Sequence, residues 1–242
     1  MRTRIGSISA CLLVAACGTG TASGPEETNP TGDPGAYVPV YSFEELRSGT
    51  LDRIIHCAGP LFDPEEFDGY DAAFPSTRPA MVRFNVSLAA DRFTIEEKVA
   101  TVEELLNERY PAELPLLSIT YTVKSPSGIG AALDEDVVEG KYDDDIRQLA
   151  GAVRTFHRPT FVRIASEFNG VWNNYRQVYY ADSYRRIVDL FRDEGADSTI
   201  FMWNYYPGEA DFPYEDWYPG DDYVDWWSLD VFSPQFRSPA AY

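Results

Sequence analysis

The sequence predicts an α/β fold, specifically a (β/α)8 barrel of which about six of the eight strands are present. Strand-like and helix-like segments alternate along the chain, which is typical of a parallel sheet with helical crossovers. The candidate strands begin roughly 25 to 40 residues apart, the spacing of a strand–helix unit. Residues 233–242 contain no further unit of this kind, so we expect an incomplete barrel.

The first two strands are short apolar runs bounded by glycine or proline. They are Ile54–Ala58 and Met81–Val86. Short apolar runs bounded in this way are typical of buried strands. Four further strands are predicted over residues 116–123, 160–165, 198–203 and 223–232.

Three helices are predicted between these strands. Thr94 and Glu97 have the spacing of a capping box, and apolar residues follow at helical spacing until Pro111. Residues 143–156 carry Ile146, Leu149 and Val153 on one face. The third helix is expected over residues 184–194 and is closed by Gly195.

The amino terminus predicts export and lipid anchoring. Arg2 and Arg4 precede an apolar stretch of about twelve residues, which is too short to span a bilayer. This stretch ends in small residues directly before Cys17, as in the lipobox of bacterial lipoproteins. We therefore expect a signal peptide over 1–16 and lipidation of Cys17, with a plain secretory signal as the alternative. The predicted location is the cell envelope, outside the cytoplasm.

Residues 17–37 are predicted to be a flexible tether, because they are rich in Gly, Pro, Thr and Ser and contain little that could be buried. The remaining residues, 38–242, form the predicted barrel domain. The tether and lipid would be its only connection to a membrane.

Composition excludes several classes of function. A formal charge of −19 repels nucleic-acid phosphate, so we expect no nucleic-acid partner. Three cysteines without a C-x-x-C pair give no zinc spacing. We predict neither a metal nor another cofactor, and we expect a monomer.

The segment from Phe161 to Trp172 is the most informative for function. Strand residues alternate between faces, so Arg163 and Glu167 share one side. In a barrel Val162 and Ile164, which lie on the other side of the strand, face the helices. Arg163 would then lie inside the barrel, and Glu167 would lie at the carboxyl end of the strand, where barrel enzymes have their active sites.

This segment resembles the acid/base strand of the retaining glycoside hydrolases of clan A, and specifically family 26, whose motif is R-x-x-H-E-x-N-G-x-W. The matching residues are Arg163, Glu167, Asn169, Gly170 and Trp172. A second stretch, 218–230, resembles the sixth strand of the same family. The resemblance covers roughly residues 55–235 and implies a β-mannanase-like enzyme that acts on a β-linked polysaccharide.

The resemblance also implies roles for individual residues. Glu167 would be the catalytic general acid and base. Asn169 and Gly170 are most simply explained as a turn after the strand, and Trp203 is equally explained as a core residue. Asp230 faces inward by its parity, where it would bind substrate or pair with Arg163. The residues expected to contact sugar are Arg163, Asn169, Trp172, Trp203 and Asp230.

Three departures from the family pattern affect this expectation. Ser166 replaces a histidine, and Phe232 replaces a tyrosine that contacts the nucleophile. The nucleophile glutamate of the family belongs to a seventh strand, which this sequence does not contain. We therefore expect a truncated barrel that is inactive as it stands.

Two alternatives come from other classes of protein. A non-catalytic surface lipoprotein could bind glycan through Trp172, Trp203 and Tyr205. A purely structural envelope protein would leave the inward direction of Glu167 and Asp230 unexplained.

Overall fold

The computed structural model describes residues 11–13, 41–51, 55–59, 72, 79–89, 93–123, 129–207 and 212–230. The predicted lipidation site Cys17, the tether and Phe232 lie outside the described residues.

A sheet of seven strands forms the centre of the described structure. Six of these strands pair in parallel, each with the next one along the sheet. This arrangement confirms the prediction of a partial barrel with six strands. In their order across the sheet, the strands are β1 (Cys11–Leu13), β2 (Ile55–Ala58), β3 (Met81–Ser87), β4 (Leu114–Thr120), β7 (Thr160–Ile164), β8 (Thr199–Tyr205) and β9 (Trp226–Leu229).

Strand β1 differs from the others because it runs antiparallel to β2, with Cys11 opposite Cys57. It belongs to the segment that the sequence predicts to be a signal peptide. Two shorter strands, β5 (Thr122–Val123) and β6 (Ala131–Ala132), form a separate antiparallel pair after β4. This pair was not predicted, because residues 122–123 were expected to belong to the preceding strand.

Helices follow the parallel strands. The second one begins at the predicted capping box, in which the Thr94 side chain accepts from the Glu97 backbone and the Glu97 side chain accepts from the Thr94 backbone. None of the described helices is long and apolar enough to cross a membrane. The helices are α1 (Phe43–Ser48), α2 (Ile95–Glu108), α3 (Asp134–Val138), α4 (Asp143–Thr155) and α5 (Gln177–Asp193), with a 3-10 helix at Tyr214–Trp217.

The two faces of the sheet bury different sets of side chains. Val162 and Ile164 of β7 pack on the helix side, whereas Phe161 packs with Met202 and Trp226 on the inner side. Arg163 shares the inner face with Phe161, as the alternation of strand residues predicts. Polar side chains at the carboxyl ends of β7, β8 and β9 are therefore brought together inside the curve of the sheet.

Candidate active site

The predicted acid/base residue lies in an unusual turn directly after β7. The strand ends at Ile164, and Ala165 and Glu167 both have left-handed backbones, with φ of 48° and 51°. This conformation is unfavourable for residues other than glycine and is found preferentially where a site requires it. Here it follows the end of β7 and brings the backbone N–H of Glu167 within hydrogen-bond distance of Asn204 on β8.

Hydrogen bonds fix Glu167 at both its backbone and its side chain. Its backbone N–H donates to Oδ1 of Asn204 at 2.8 Å. Its carboxylate oxygen Oε2 accepts from the indole Nε1–H of Trp172 at 2.9 Å. Asn173 donates from Nδ2 to the backbone carbonyls of Ser166 and Glu167, at 3.0 Å each. The carboxyl group is therefore held in a defined direction.

Arg163 and Asp230 form an ion pair below Glu167. Nη1 of Arg163 lies 3.0 Å from Oδ1 of Asp230, and the side chains are 5% and 18% exposed. The Nε–H of Arg163 also donates to Oγ of Ser118 on β4, at 3.3 Å. Both residues face inward, as their parity predicts. For Asp230, the structure shows the ion pair with Arg163 that was the alternative to a substrate contact.

The environment raises the pKa of the Glu167 carboxyl above its ordinary value. Burial is the main cause, and the nearby carboxylate of Asp230 adds to it, while the hydrogen bond from Trp172 and the charge of Arg163 act in the opposite direction. A carboxyl group with a raised pKa keeps its proton closer to neutral pH, which is the property that a general acid needs.

Trp172 forms an exposed aromatic surface beside this carboxyl. Its side chain is 37% exposed, and its ring meets that of Tyr206 edge to face at 5.0 Å. Gly170 lies directly beneath the indole, because a Cβ at this position would come within 2.4 Å of the Trp172 ring. The glycine therefore allows the ring to lie where it can both contact Glu167 and stack on a sugar.

Asn169 has a structural role in the described structure. Its Nδ2 donates to the backbone carbonyl of Tyr206 at 2.7 Å, and its Oδ1 accepts from the backbone N–H of Tyr206 at 2.9 Å. Its side chain thus ties the turn after β7 to the residue that follows β8. The prediction that Asn169 contacts sugar does not agree with this use of both amide atoms, and the turn interpretation does.

The prediction that Trp203 contacts sugar is wrong. Trp203 pairs in register with Ile164, whose side chain faces the helices, and it is 1% exposed. Its ring stacks on Phe168 at 4.6 Å and meets Trp227 edge to face at 4.6 Å. Trp203 is therefore part of the core between sheet and helices.

The sequence analysis missed Asn204, the inward neighbour of Trp203. Asn204 is fully buried, and its Nδ2 donates to Oγ of Ser228 at 2.9 Å and to Oδ1 of Asp230 at 3.2 Å. Alternation along β8 could have found it, because a strand that turns Trp203 toward the helices must turn Asn204 into the barrel.

The described residues contain no group of three or more Asp, Glu, His or Cys side chains that could hold a metal ion. What the site offers is one half-buried carboxyl, an adjacent ion pair and an exposed indole. This combination suits proton transfer to a glycosidic oxygen, with the aromatic ring available to a sugar face.

Comparison with known proteins agrees with this chemistry. The sequence model of Glycosyl hydrolase family 26 matches residues 123–242, which include the site. A β-1,3-xylanase from a Vibrio species is 34% identical over 104 residues, which is 42% of this chain and 23% of that protein. A β-1,3-xylanase from an Alcaligenes species is 32% identical over 104 residues, which is 42% of this chain and 22% of that protein.

Among solved structures, a β-mannanase of family 26 from Bacteroides ovatus is similar, with 19% sequence identity and a TM-score of 0.46. The match covers 62% of this chain and 52% of that one. The chain spans less than a quarter of the length of the two curated xylanases.

Proposed function

Residues 123–242 belong to glycosyl hydrolase family 26, and from this premise we propose that the chain carries the acid/base half of an active site for a β-linked polysaccharide. The observation that supports the proposal most directly is the arrangement at Glu167. Its carboxyl is half-buried, has a raised pKa and accepts a hydrogen bond from the exposed Trp172 indole.

Glu167 would act twice in a retaining mechanism. In its protonated form it donates a proton to the glycosidic oxygen as the bond to the leaving sugar breaks. In its ionised form it then removes a proton from the water that attacks the glycosyl intermediate. The raised pKa favours the first step, and the charge of Arg163 favours the second by stabilising the carboxylate.

The polysaccharide would be a β-mannan or a β-1,3-xylan. The motif of residues 163–172 resembles that of β-mannanases, whereas two curated relatives are named β-1,3-xylanases. Ser166 stands at the histidine position of the mannanase motif. The site therefore differs from the mannanase pattern next to the acid/base, and both polymers belong in the test.

A second candidate function for this chain of 242 residues is glycan binding without cleavage. The retaining mechanism needs a second carboxylate about 5 to 5.5 Å from the acid/base. In the described residues, the carboxylate that acts on Glu167 is that of Asp230, and Asp230 is paired with Arg163. Recognition through Trp172 does not depend on that second carboxylate.

Calorimetric titration with oligosaccharides of β-1,4-mannose, β-1,3-xylose and mixed-linkage β-glucose tests the shared part of both functions. We expect one series to bind, and we expect Trp172→Ala to weaken it about tenfold, the loss of one stacking contact of about 1.4 kcal/mol. Trp227→Ala is the matched control, because Trp227 is 54% exposed but lies on the helix side of β9. Equal affinity of both variants, or no binding in any series, would contradict the proposal.

We also propose that the protein is a lipoprotein of the cell envelope, anchored through Cys17. Two arginines, a short apolar segment and small residues before Cys17 support this. Mass spectrometry of the mature amino terminus after expression in a bacterium tests it. A diacylglyceryl group on Cys17 is expected, and an unmodified Cys17 or cleavage at another position would contradict it.

A further inference from the structure

Asn204 occupies the centre of the polar network at the carboxyl ends of the strands. It is fully buried at the inner face of β8, between the turn that carries Glu167 and the end of β9. Its amide makes three hydrogen bonds within 3.2 Å: it accepts from the backbone N–H of Glu167, and it donates to Ser228 and to the carboxylate of Asp230.

One side of this amide faces a hydrogen-bond donor, and the other side faces an acceptor. Glu167 has a φ of 51°, and its backbone N–H points into the barrel, where it requires an acceptor. A buried N–H without an acceptor and a left-handed backbone each lower the free energy of unfolding. Oδ1 of Asn204 accepts from this N–H and thereby stabilises the left-handed turn.

The Nδ2 side faces a carboxylate. Oδ1 of Asp230 accepts from Asn204 at 3.2 Å and from Nη1 of Arg163 at 3.0 Å. The Asn204 amide offers an acceptor for the backbone N–H of Glu167 together with two donors, one for Ser228 and one for Asp230, whereas a hydroxyl would offer a single donor. Aspartate keeps the acceptor but places a second charge against Asp230, and alanine keeps neither.

From this geometry we infer that Asn204 is a positioning residue, which holds the Glu167 turn and the Asp230 carboxylate in a fixed relation and thereby sets the surroundings of the acid/base. The inference rests on the proposed role of Glu167. Asn204 does not need to touch the sugar, since it acts through the backbone of one residue and the carboxylate of another.

The indole of Trp172 gives a direct measurement, because its Nε1–H donates to the Glu167 carboxylate. Its 15N–1H signal, assigned by its absence in Trp172→Phe, should shift with pH as Glu167 ionises. Within the part of the chain that the structure describes, the charged groups that act on Glu167 are Arg163 and Asp230, which are unchanged in all the variants compared. No substrate is needed, so this result is independent of whether the chain binds or cleaves glycan.

In Asn204→Ala we expect the titration of the Trp172 signal to be lost or to move to lower pH, because the turn relaxes and Glu167 reaches solvent. In Asn204→Asp we expect the titration to persist and to move to higher pH, because the acceptor remains and a negative charge is added. Ser228→Ala is the control, since it removes one partner of Asn204 without touching Glu167, and it should titrate like the wild type.

A wild-type titration in folded Asn204→Ala would overturn the inference. If that variant does not fold, an unchanged midpoint in Asn204→Asp would overturn it equally. Failure of the proposed function has a different signature, in which the titration responds to Asn204 but no oligosaccharide binds.

Discussion

Ionisation of Glu167 opposes folding, because burial and the Asp230 carboxylate raise its pKa in the folded chain. The unfolded chain ionises near the ordinary value of 4.5, so this group lowers the free energy of unfolding as the pH rises through and above that value. We expect Glu167→Gln to be more stable than the wild type at pH 7 to 8 and the difference to vanish below about pH 4.5. Urea denaturation across this pH range measures it.

Glu135 provides a control of opposite sign. Hydrogen bonds from Arg176 and Tyr179 lower the pKa of its carboxyl, so its ionised form favours the folded chain and that contribution is lost as the pH falls. Glu135→Gln should therefore reduce stability at neutral pH and have no effect in acid. The same direction of change in both variants would contradict the environment described for Glu167.

The position of the Trp172 ring depends on a single missing methyl group. A Cβ at Gly170 would lie 2.4 to 2.8 Å from atoms of the indole, so Gly170→Ala must push the ring away from Glu167. We expect oligosaccharide affinity to fall about tenfold, as in the loss of a stacking contact. Calorimetric titration measures the effect.

Gly151→Ala is the matched substitution for this experiment. Gly151 lies inside α4, and a Cβ there meets nothing within 4 Å. Alanine should raise the free energy of unfolding by about 0.5 to 1 kcal/mol through helix propensity and leave affinity unchanged. If Gly170→Ala leaves affinity unchanged as well, the stacking role of Trp172 is wrong.

At the scale of elements, a buried carboxylate joins α3 to the start of α5. Asp134 is fully buried, accepts from the backbone N–H of Arg176 at 2.6 Å and from its Nε–H at 2.9 Å. We expect Asp134→Ala to cost about 2 kcal/mol, because that N–H loses a charged acceptor. Asp136→Ala should cost less than about 1 kcal/mol, since Asp136 forms a surface pair with Lys141. Urea denaturation measures the loss of unfolding free energy in both variants, and equal losses would contradict this connection between α3 and α5.

This same contact explains why one helix boundary could not be predicted. Periodicity placed the start of the third helix at Tyr184, yet α5 begins at Gln177. The residue before it, Arg176, donates its backbone N–H to Asp134, which lies 42 positions earlier in the chain. The capping box at Thr94 was predicted correctly because both of its partners are local. Contacts within four residues can be inferred from sequence, whereas a cap supplied by another element cannot.

Within the site, alternation along strands explains which inward-facing residues were predicted and which one was missed. It placed Arg163 and Asp230 on the inner face because parity depends on spacing along the chain, although the strand predicted over 223–232 is confined to Trp226–Leu229. It was not applied to β8, which continues to Tyr205, so Trp203 was taken for the end of the strand and Asn204 was overlooked. The left-handed turn at Glu167 has no signal in the sequence, since neither Ala165 nor Glu167 favours that conformation.

At the scale of the whole molecule, the parallel order of six strands and the match of residues 123–242 confirm the family resemblance inferred from two motifs. Sheet curvature brings the ends of β7, β8 and β9 to one place, so residues 163, 167, 204 and 230 form one network although they are far apart in sequence. In the proposed function, these strands alone would supply the residues for proton transfer. Capture of the sugar cation requires a further carboxylate.

This division of labour predicts that the chain of 242 residues releases no reducing sugar from β-mannan, β-1,3-xylan or mixed-linkage β-glucan above the level of its Glu167→Gln variant. General acid help contributes about 10² to 10⁴-fold, against at least about 10⁶-fold for typical enzymes. In the described residues, the carboxylate that acts on Glu167 is that of Asp230, which is held by Arg163 and Asn204. A chain extended by a strand that ends in glutamate should be active and depend on Glu167. Robust release by the 242 residues, lost in Asp230→Asn, would instead make Asp230 the nucleophile.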